Sequence, residues 1–157
     1  MSACLISDLH LQENRPELTK AFKKFLISHA ANVDSLYILG DLFEAWIGDD
    51  YENDFILDVK LELKKYSSLG KKIYLMHGNR DFLLGDKFCH DVGGLLLDDP
   101  TTAKINNFEV VLMHGDSLCT DDLDYQSFRT VVRDQKWKND FLEKEFSKSF
   151  DAIYSLD

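Results

Sequence analysis

Cysteine is scarce in this sequence, and the few cysteines are spaced wrongly for a cysteine-based scaffold. Cys4, Cys89 and Cys119 are odd in number and form no Cys-x-x-Cys pair, which fits neither a disulfide framework nor a zinc knuckle. We therefore expect a reducing, cytoplasmic compartment. The sequence also lacks any run approaching the roughly 18 apolar residues of a membrane span, and its N-terminus has no basic and apolar regions typical of a signal peptide. The chain is predicted to be neither exported by that route nor membrane-spanning.

Positive charge is scarce as well. The 157 residues include 18 Lys and Arg against 28 Asp and Glu, which gives a formal net charge of -10. Because so acidic a surface repels a phosphate backbone, we expect no nucleic-acid partner unless metal ions intervene. With 45% hydrophobic and 29% charged residues, and no internal repeat or linker, the composition indicates one globular domain over residues 1–157.

Short apolar runs alternate with amphipathic segments along the chain, as in proteins of the α/β class. Strands are predicted for five apolar runs: residues 4–6, 36–39, 72–76, 102–105 and 108–113. Asn106-Asn107 between the last two predicts a hairpin turn. Helices are predicted for four segments with apolar residues at helical spacing: from Pro16, residues 54–68, residues 86–91 ended by Gly93-Gly94, and from Tyr125 onward with Phe128, Val131, Val132 and Trp137 facing inward.

Four of the predicted strands end in polar residues: Asp8 and His10, Asp41, Asn79, and His114. Ligands of open α/β sheets bind beyond the carboxyl ends of strands. All of these side chains offer oxygen or nitrogen atoms, which divalent ions such as Mn²⁺ accept in preference to thiolate. If Asp8-Leu9-His10 is extended, its alternate side chains point the same way and can face one ion.

Each of these residues also has an ordinary alternative role. An aspartate often caps a helix, an asparagine forms a turn, and a histidine lies satisfied in a core or a loop. It is improbable that four such clusters follow four apolar strands if every residue in them has only its ordinary role. The pattern therefore predicts a centre for two divalent ions that share a carboxylate.

In this order, Asp8-Leu9-His10, Gly40-Asp41, Gly78-Asn79 and His114-Gly115 resemble the motifs of the calcineurin-like metallophosphoesterases. The resemblance implies a mixed α/β fold, a layered β-sandwich flanked by helices over a dinuclear metal site. Residues 38–50, 77–85 and 113–122 are similar to the members of this family that hydrolyse the pyrophosphate bond of UDP-2,3-diacylglucosamine in lipid A biosynthesis. The implied products are UMP and 2,3-diacylglucosamine 1-phosphate.

The resemblance also implies roles for individual residues at the metal site. Asp8 and His10 are expected to hold one Mn²⁺ and Asn79 and His114 the other. Asp41 is expected to bridge both ions and to take part in catalysis.

For the substrate, the resemblance implicates Asn79, Arg80 and Asp122. Arg80 stands where many members of the wider superfamily have a histidine. Its guanidinium can clamp phosphate oxygens in catalysis but cannot act as a general acid at neutral pH. The alternatives are a surface ion pair between Arg80 and a neighbour such as Asp81, and a role for Asp122 as the cap of the next helix.

One expected motif is absent. The resemblance implies a Gly-His-x-His segment near the C-terminus that completes both metal shells, yet no histidine follows His114. We therefore expect a domain that is incomplete at its C-terminus. Two other functions remain open: a metal-binding domain without catalysis, and a general nucleotide metallophosphodiesterase.

A substrate with two acyl chains implies peripheral attachment to the inner leaflet of the inner membrane. The segment after Tyr125 interleaves Lys and Arg with aromatic residues, which is typical of an interfacial helix: Trp137, Phe141, Phe146 and Phe150. The alternative is a helix that packs on the core and leaves its basic face in solvent.

Overall fold

A computed structural model describes residues 2–143. Four parallel strands form one sheet in the order β1-β2-β3-β4: β1 (Ala3–Ile6), β2 (Ser35–Leu39), β3 (Lys72–Met76) and β4 (Gly94–Leu97). Two antiparallel strands, β5 (Thr101–Ile105) and β6 (Phe108–Leu112), form a hairpin that turns at Asn106 with a φ of 55°. The helices are α1 (Pro16–Ser28), α2 (Asp54–Ser68), α3 (Asp86–Val92), α4 (Leu123–Val132) and α5 (Gln135–Leu142). The expected mixed α/β fold class is confirmed.

Most predicted elements begin and end within two residues of the observed ones, and α2 and β3 have the predicted bounds. Strand β4 was not predicted. Gly93 ends α3 in the left-handed conformation, with a φ of 72°, as a glycine after a helix commonly does. The next residue, Gly94, already pairs with Ile73 of β3, so the strand follows the helix with no loop between them.

The parallel sheet separates two apolar cores. Side chains of a strand point alternately to its two faces, and β2 is apolar on both. Leu36 and Ile38 lie in the larger core, whereas Tyr37 and Leu39 lie in the smaller one. Buried residues from α1, α2 and α3 fill the larger core: Phe22, Leu26, Ile56, Val59, Leu63, Tyr66, Phe88 and Val92.

The β5–β6 hairpin covers the opposite face of the sheet. Leu112 is buried against Tyr37 and Met76, and Ala103, Ile105 and Val110 pack around them. The rings of Tyr37 and Tyr74 stack with centroids 4.5 Å apart. The hairpin therefore forms a second β layer over the middle of the sheet.

The segment after Tyr125 is two helices, which pack on the larger core. Asp134 begins α5 by accepting a hydrogen bond from the backbone of Trp137. The Trp137 ring stacks on Phe141, and Phe82 lies beside it, with centroids 5.1 and 6.1 Å away. This arrangement matches the alternative of a helix packed on the core.

The prediction that Val131 faces inward was wrong, because Val131 is exposed while its neighbour Val132 is buried. Both valines lie about one turn from Phe128, three and four residues along the helix, but only Val132 faces the core in this packing. Phe146 and Phe150 lie outside the described residues. Within residues 2–143, no helix is both long and apolar enough to cross a membrane.

Burial on the inner face of α2 predicts a stability difference between two leucines of that helix. Leu63 is fully buried, whereas Leu61 is 52% exposed. We expect Leu63→Ala to lower the free energy of unfolding by about 2–5 kcal/mol, because it removes packed methyl groups and leaves a cavity. Leu61→Ala is the matched control and should change it by less than about 0.5 kcal/mol. Urea unfolding measures both, and equal losses would contradict the orientation of α2.

Candidate metal centre

The ends of neighbouring parallel strands bring the predicted residues to one edge of the sheet. The segment after β1 lies along the segment after β2, since Asp8 N donates to Gly40 O at 3.1 Å and His10 N donates to Asp41 O at 3.0 Å. The loop after β3 approaches Asp41 from the other side, where Arg80 N donates to Asp41 Oδ1 at 2.8 Å. His114 follows β6.

These segments place five side chains together, which we call the donor cluster: Asp8, His10, Asp41, Asn79 and His114. Asp41 lies at its centre. Its Oδ2 atom is 3.7 Å from Nε2 of His10 and 3.8 Å from Nε2 of His114. Nε2 of His10 is 3.9 Å from Asp8 Oδ1, and Nε2 of His114 is 3.0 Å from Asn79 Oδ1. The cluster thus has two halves that share the Asp41 carboxylate.

Both imidazoles are oriented by a hydrogen bond on the ring nitrogen that faces away from Asp41. Nδ1 of His10 lies 2.8 Å from Glu44 Oε2, and Nδ1 of His114 lies 2.9 Å from the carbonyl oxygen of Leu39. A carboxylate and a carbonyl only accept, so each Nδ1 donates its hydrogen. In the neutral rings, Nε2 is then an unprotonated acceptor aimed into the cluster, which is the form that binds a metal. In His114 this atom faces a second acceptor, Asn79 Oδ1 at 3.0 Å, and a cation between the two would satisfy both.

The backbone of the donor cluster has an uncommon conformation. Asp8, His10 and Asp41 have φ values of 56°, 48° and 54°, in the left-handed region that few residues other than glycine adopt. Such residues gather at functional sites. The prediction that Asp8 and His10 lie on an extended segment was wrong. Their side chains converge because the left-handed backbone turns both towards Asp41.

Two glycines allow the loops to approach closely. At Gly40, whose φ is 92°, a Cβ atom would lie 2.6 Å from Gly78 Cα. At Gly78, a Cβ atom would overlap the Asp41 carboxylate. Neither position has room for a side chain.

Asp81 joins the two loops from beneath and is 1% exposed. Its Oδ1 accepts from the backbone N–H groups of Gly78 and Asp41 at 2.8 and 3.2 Å, and its Oδ2 accepts from Leu42 and Phe43 at 2.8 and 3.4 Å. Burial raises the pKa of Asp81 to about 6, against the effect of these hydrogen bonds. A surface ion pair between Arg80 and Asp81 is excluded, because the Asp81 carboxylate is buried.

The donor cluster has the chemistry of a cation site. Burial raises the pKa of Asp41, while the Arg80 backbone N–H and the protonated forms of His114 and His10 lower it. A buried carboxylate is stabilised by a nearby positive charge, and the oxygen and imidazole nitrogen atoms around it suit a divalent ion such as Mn²⁺. These residues therefore fit a divalent metal.

Behind the cluster, a network of charged residues that sequence reasoning missed connects α4 to the loops. Arg129 lies between two carboxylates, with Nη2 3.2 Å from Asp99 Oδ2 and Nε 2.9 Å from Asp116 Oδ2. Asp99 Oδ1 in turn accepts from His114 N at 3.2 Å. Arg133 donates to the carbonyl oxygen of Gly78 at 2.8 Å. No local pattern signals these pairs, because the partners are far apart in the sequence.

The other two predicted site residues, Arg80 and Asp122, lie in different environments. Arg80 is half-buried beside Asp41. Asp122 is exposed and caps α4, where its Oδ1 accepts from Tyr125 N at 2.9 Å. The capping alternative for Asp122 is therefore what the structure shows, and its contact with substrate stays a prediction.

Comparison with known proteins agrees with this geometry. A sequence model of the calcineurin-like phosphoesterases matches residues 1–153. The chain belongs to this family. It is 46% identical over 156 residues to a UDP-2,3-diacylglucosamine hydrolase of Chromohalobacter salexigens. This alignment covers 99% of this chain and 63% of that protein.

Two further curated relatives carry the same name. The identity is 53% over 133 residues to the protein of Marinobacter nauticus and 50% over 133 residues to that of Azotobacter vinelandii. These alignments cover 85% of this chain but 54% and 55% of the relatives. The chain thus spans little more than half the length of most of the curated relatives it matches.

The position of Asp81 predicts that its charge is needed for the fold. In Asp81→Asn, one carboxylate oxygen becomes an NH₂ group that faces two backbone N–H donors. Two buried donors then lose their acceptor, which should lower the free energy of unfolding by about 2–6 kcal/mol. Urea unfolding measures this loss, with Asp50→Asn at an exposed site as the matched control. An unchanged urea midpoint for Asp81→Asn would contradict the role of Asp81 in joining the loops.

Proposed function

We propose that this chain is a metal-dependent hydrolase that cleaves the pyrophosphate bond of UDP-2,3-diacylglucosamine, giving UMP and 2,3-diacylglucosamine 1-phosphate. The observation that carries the proposal is the Asp41 carboxylate, which lies between two pairs of nitrogen and oxygen donors. The names of the curated relatives support the substrate. The family supports the dependence on divalent metal.

In this proposal the donor cluster holds two Mn²⁺ ions. Asp8 and His10 would hold one ion, Asn79 and His114 would hold the other, and Asp41 would be a ligand of both. When bound, such ions lower the pKa of a coordinated water and neutralise charge on phosphate oxygens. Glu44 and the Leu39 carbonyl keep the imidazole rings in the orientation and tautomer that ligation requires.

The proposed task of Arg80 is to hold the substrate's phosphate. Its backbone N–H is fixed on Asp41 at 2.8 Å, so its side chain begins at the donor cluster. A guanidinium donates two parallel hydrogen bonds to phosphate oxygens and remains charged at any physiological pH. It thus positions the phosphate and stabilises the negative charge that develops during hydrolysis. Asn79 and Asp122 are the other proposed contacts to substrate.

One observation favours a second candidate function. Even with Asp41 counted twice, the proposed set supplies only three protein ligands to each ion. A domain that binds metal without catalysing hydrolysis is therefore the alternative. A general nucleotide metallophosphodiesterase is the alternative within enzymes, and a panel of UDP-2,3-diacylglucosamine and UDP-sugars without acyl chains separates it from the main proposal.

The shared carboxylate predicts a large effect of Asp41→Asn. The change removes the charge common to both halves of the donor cluster, so we expect Mn²⁺-dependent release of UMP to fall by at least about 100-fold, since outer-shell partners of metal ligands already account for about 10–100-fold. Calorimetry should show weaker Mn²⁺ binding in the same variant. The control is Asp50→Asn, which alters an exposed aspartate.

Two outcomes would argue against the hydrolase. Wild-type protein that binds Mn²⁺ but releases no UMP supports the non-catalytic alternative. Release of UMP in a chelator, or an Asp41→Asn variant as active as wild type, contradicts the metal centre itself.

We also propose that the protein contacts the cytoplasmic face of the inner membrane, because a substrate with two acyl chains resides there. Of the two lysines on α5, Lys136 is exposed, with 84% of its side chain accessible, whereas Lys138 is half-buried. Trp137 and Phe141 are not available as anchors in this arrangement because they pack on the core.

The membrane contact predicts salt-sensitive binding to anionic vesicles. Near such a surface, each Lys or Arg contributes about 1 kcal/mol, so the reversal of charge in Lys136→Glu should weaken binding by roughly tenfold or more. Sedimentation with anionic vesicles at low and high salt measures it. Lys24→Glu on α1, also exposed, is the control. Protein that stays in the supernatant at low salt would exclude the contact.

A further inference from the structure

A cleft of about 370 Å³ opens beside the donor cluster. Its walls are the segment that follows His10, the loop that follows Asp41, and the start of α2. Glu44 lines the cleft, and the same Glu44 carboxylate orients His10 at 2.8 Å. The volume is in the range of small-molecule sites, about 300–1,000 Å³. The cleft is therefore placed to receive the group next to the reacting phosphate of a bound substrate.

The walls of the cleft are rich in aromatic side chains. Tyr51 and Phe55 are half-buried and line it, with the buried Trp46 beside them. Phe55 is held in place by an edge contact with Phe43, with ring centroids 6.0 Å apart. Half-buried rings on a rigid wall suit a flat group, and every nucleobase stacks favourably on an aromatic ring.

The rim of the cleft is polar. The side-chain amides of Gln12 and Asn14 line it and form no hydrogen bond within residues 2–143. An amide both donates and accepts, so it can pair with the edge of a base. Glu13 accepts a hydrogen bond from Asn53 at 3.3 Å through one carboxylate oxygen. Its other oxygen can accept from ribose hydroxyls, as acidic residues do in dinucleotide sites.

The charge of the cleft selects the kind of group that it takes. Its lining includes Glu13 and Glu44, and none of the described residues in it is Lys or Arg. A phosphate would be repelled, whereas an uncharged group would not. An acyl chain is disfavoured for a different reason, because hydrocarbon would cover the amides and carboxylates of the rim without offering them a hydrogen bond.

We propose that this cleft binds the uridine of the substrate, with the base against Tyr51 and Phe55 and the ribose against Glu13. The proposal rests on the function proposed above, from which the identity of the nucleoside is taken. It adds a subsite that recognises the nucleoside separately from the phosphate and the lipid. Uridine itself, which has no phosphate, should therefore bind to this protein.

The experiment is a titration of the full chain with uridine, followed by NMR, in the absence of metal. We expect saturable binding that Tyr51→Leu weakens about tenfold, because it removes a stacking ring. Tyr51→Phe keeps the ring and should bind nearly as wild type does. Phe108→Leu is the matched control, since it removes a ring that is 72% exposed and far from this cleft in the fold, at the tip of the β5–β6 hairpin.

A second pair of variants tests the ribose contact. Glu13→Gln should weaken uridine about fivefold and 2′,3′-dideoxyuridine much less, because the latter has no hydroxyl groups for the carboxylate to accept from. Glu17→Gln, an exposed glutamate on α1, is the control. Should Tyr51→Leu fail to fold by circular dichroism, the Glu13 pair decides the test by itself.

The contrary outcomes are distinct from those of the hydrolase assay. Absence of uridine binding, or equal affinity in well-folded Tyr51→Leu and wild type, overturns the subsite even if UMP is released from the lipid substrate. Decanoate that shifts the same resonances while uridine does not would assign the cleft to an acyl chain and overturn the proposal. Uridine binding without any UMP release leaves the subsite intact and counts against the hydrolase alone.

Discussion

The geometry of the donor cluster depends on two carboxylates that each hold the other's loop. Asp81, in the loop after β3, accepts hydrogen bonds from backbone N–H groups of the loop after β2. Asp41, in the loop after β2, accepts from the backbone of Arg80 in the loop after β3. Neither loop has regular secondary structure at this point, so these bonds supply the acceptors that a sheet or helix would otherwise provide. These reciprocal hydrogen bonds set the distance between the two loops.

These hydrogen bonds between the two loops explain why the surrounding backbone has so little conformational freedom. The loops approach so closely that only glycine fits at positions 40 and 78, and Asp8, His10 and Asp41 are held in left-handed conformations. Each such conformation costs about 1–3 kcal/mol and persists only where the surrounding structure holds it. The parallel pairing of β1, β2 and β3 provides those surroundings, because it aligns the strand ends that begin each loop.

The rest of the fold supports the cluster from two sides. Beneath it, the helices and the hairpin bury both faces of the sheet, so that β2 is almost fully enclosed. Beside it, α4 reaches the loops through charged side chains, with Arg133 on Gly78 and with Arg129 linked through Asp99 to His114. The Arg129–Asp99 ion pair is partly buried, where attraction between charges is stronger than at the surface. Helix α4 thus belongs to the framework of the site even though it contributes none of its five donors.

The sequence by itself determined the features that follow from local patterns. The bounds of α2 and β3 follow from apolar periodicity and from glycine, and the five donors stand out because polar residues follow apolar strands abruptly. Strand β4 was not predicted, because it begins directly after Gly93, which ends α3, and it forms by pairing with β3. Asp81 and Glu44 escaped as well, since in sequence they are ordinary acidic residues. Only the tertiary structure buries Asp81 among backbone donors, turns Asp8 and His10 by a left-handed backbone, and forms a cleft from residues some thirty to forty positions apart. These properties depend on which distant segments meet, whereas periodicity reports only which face of each segment is apolar.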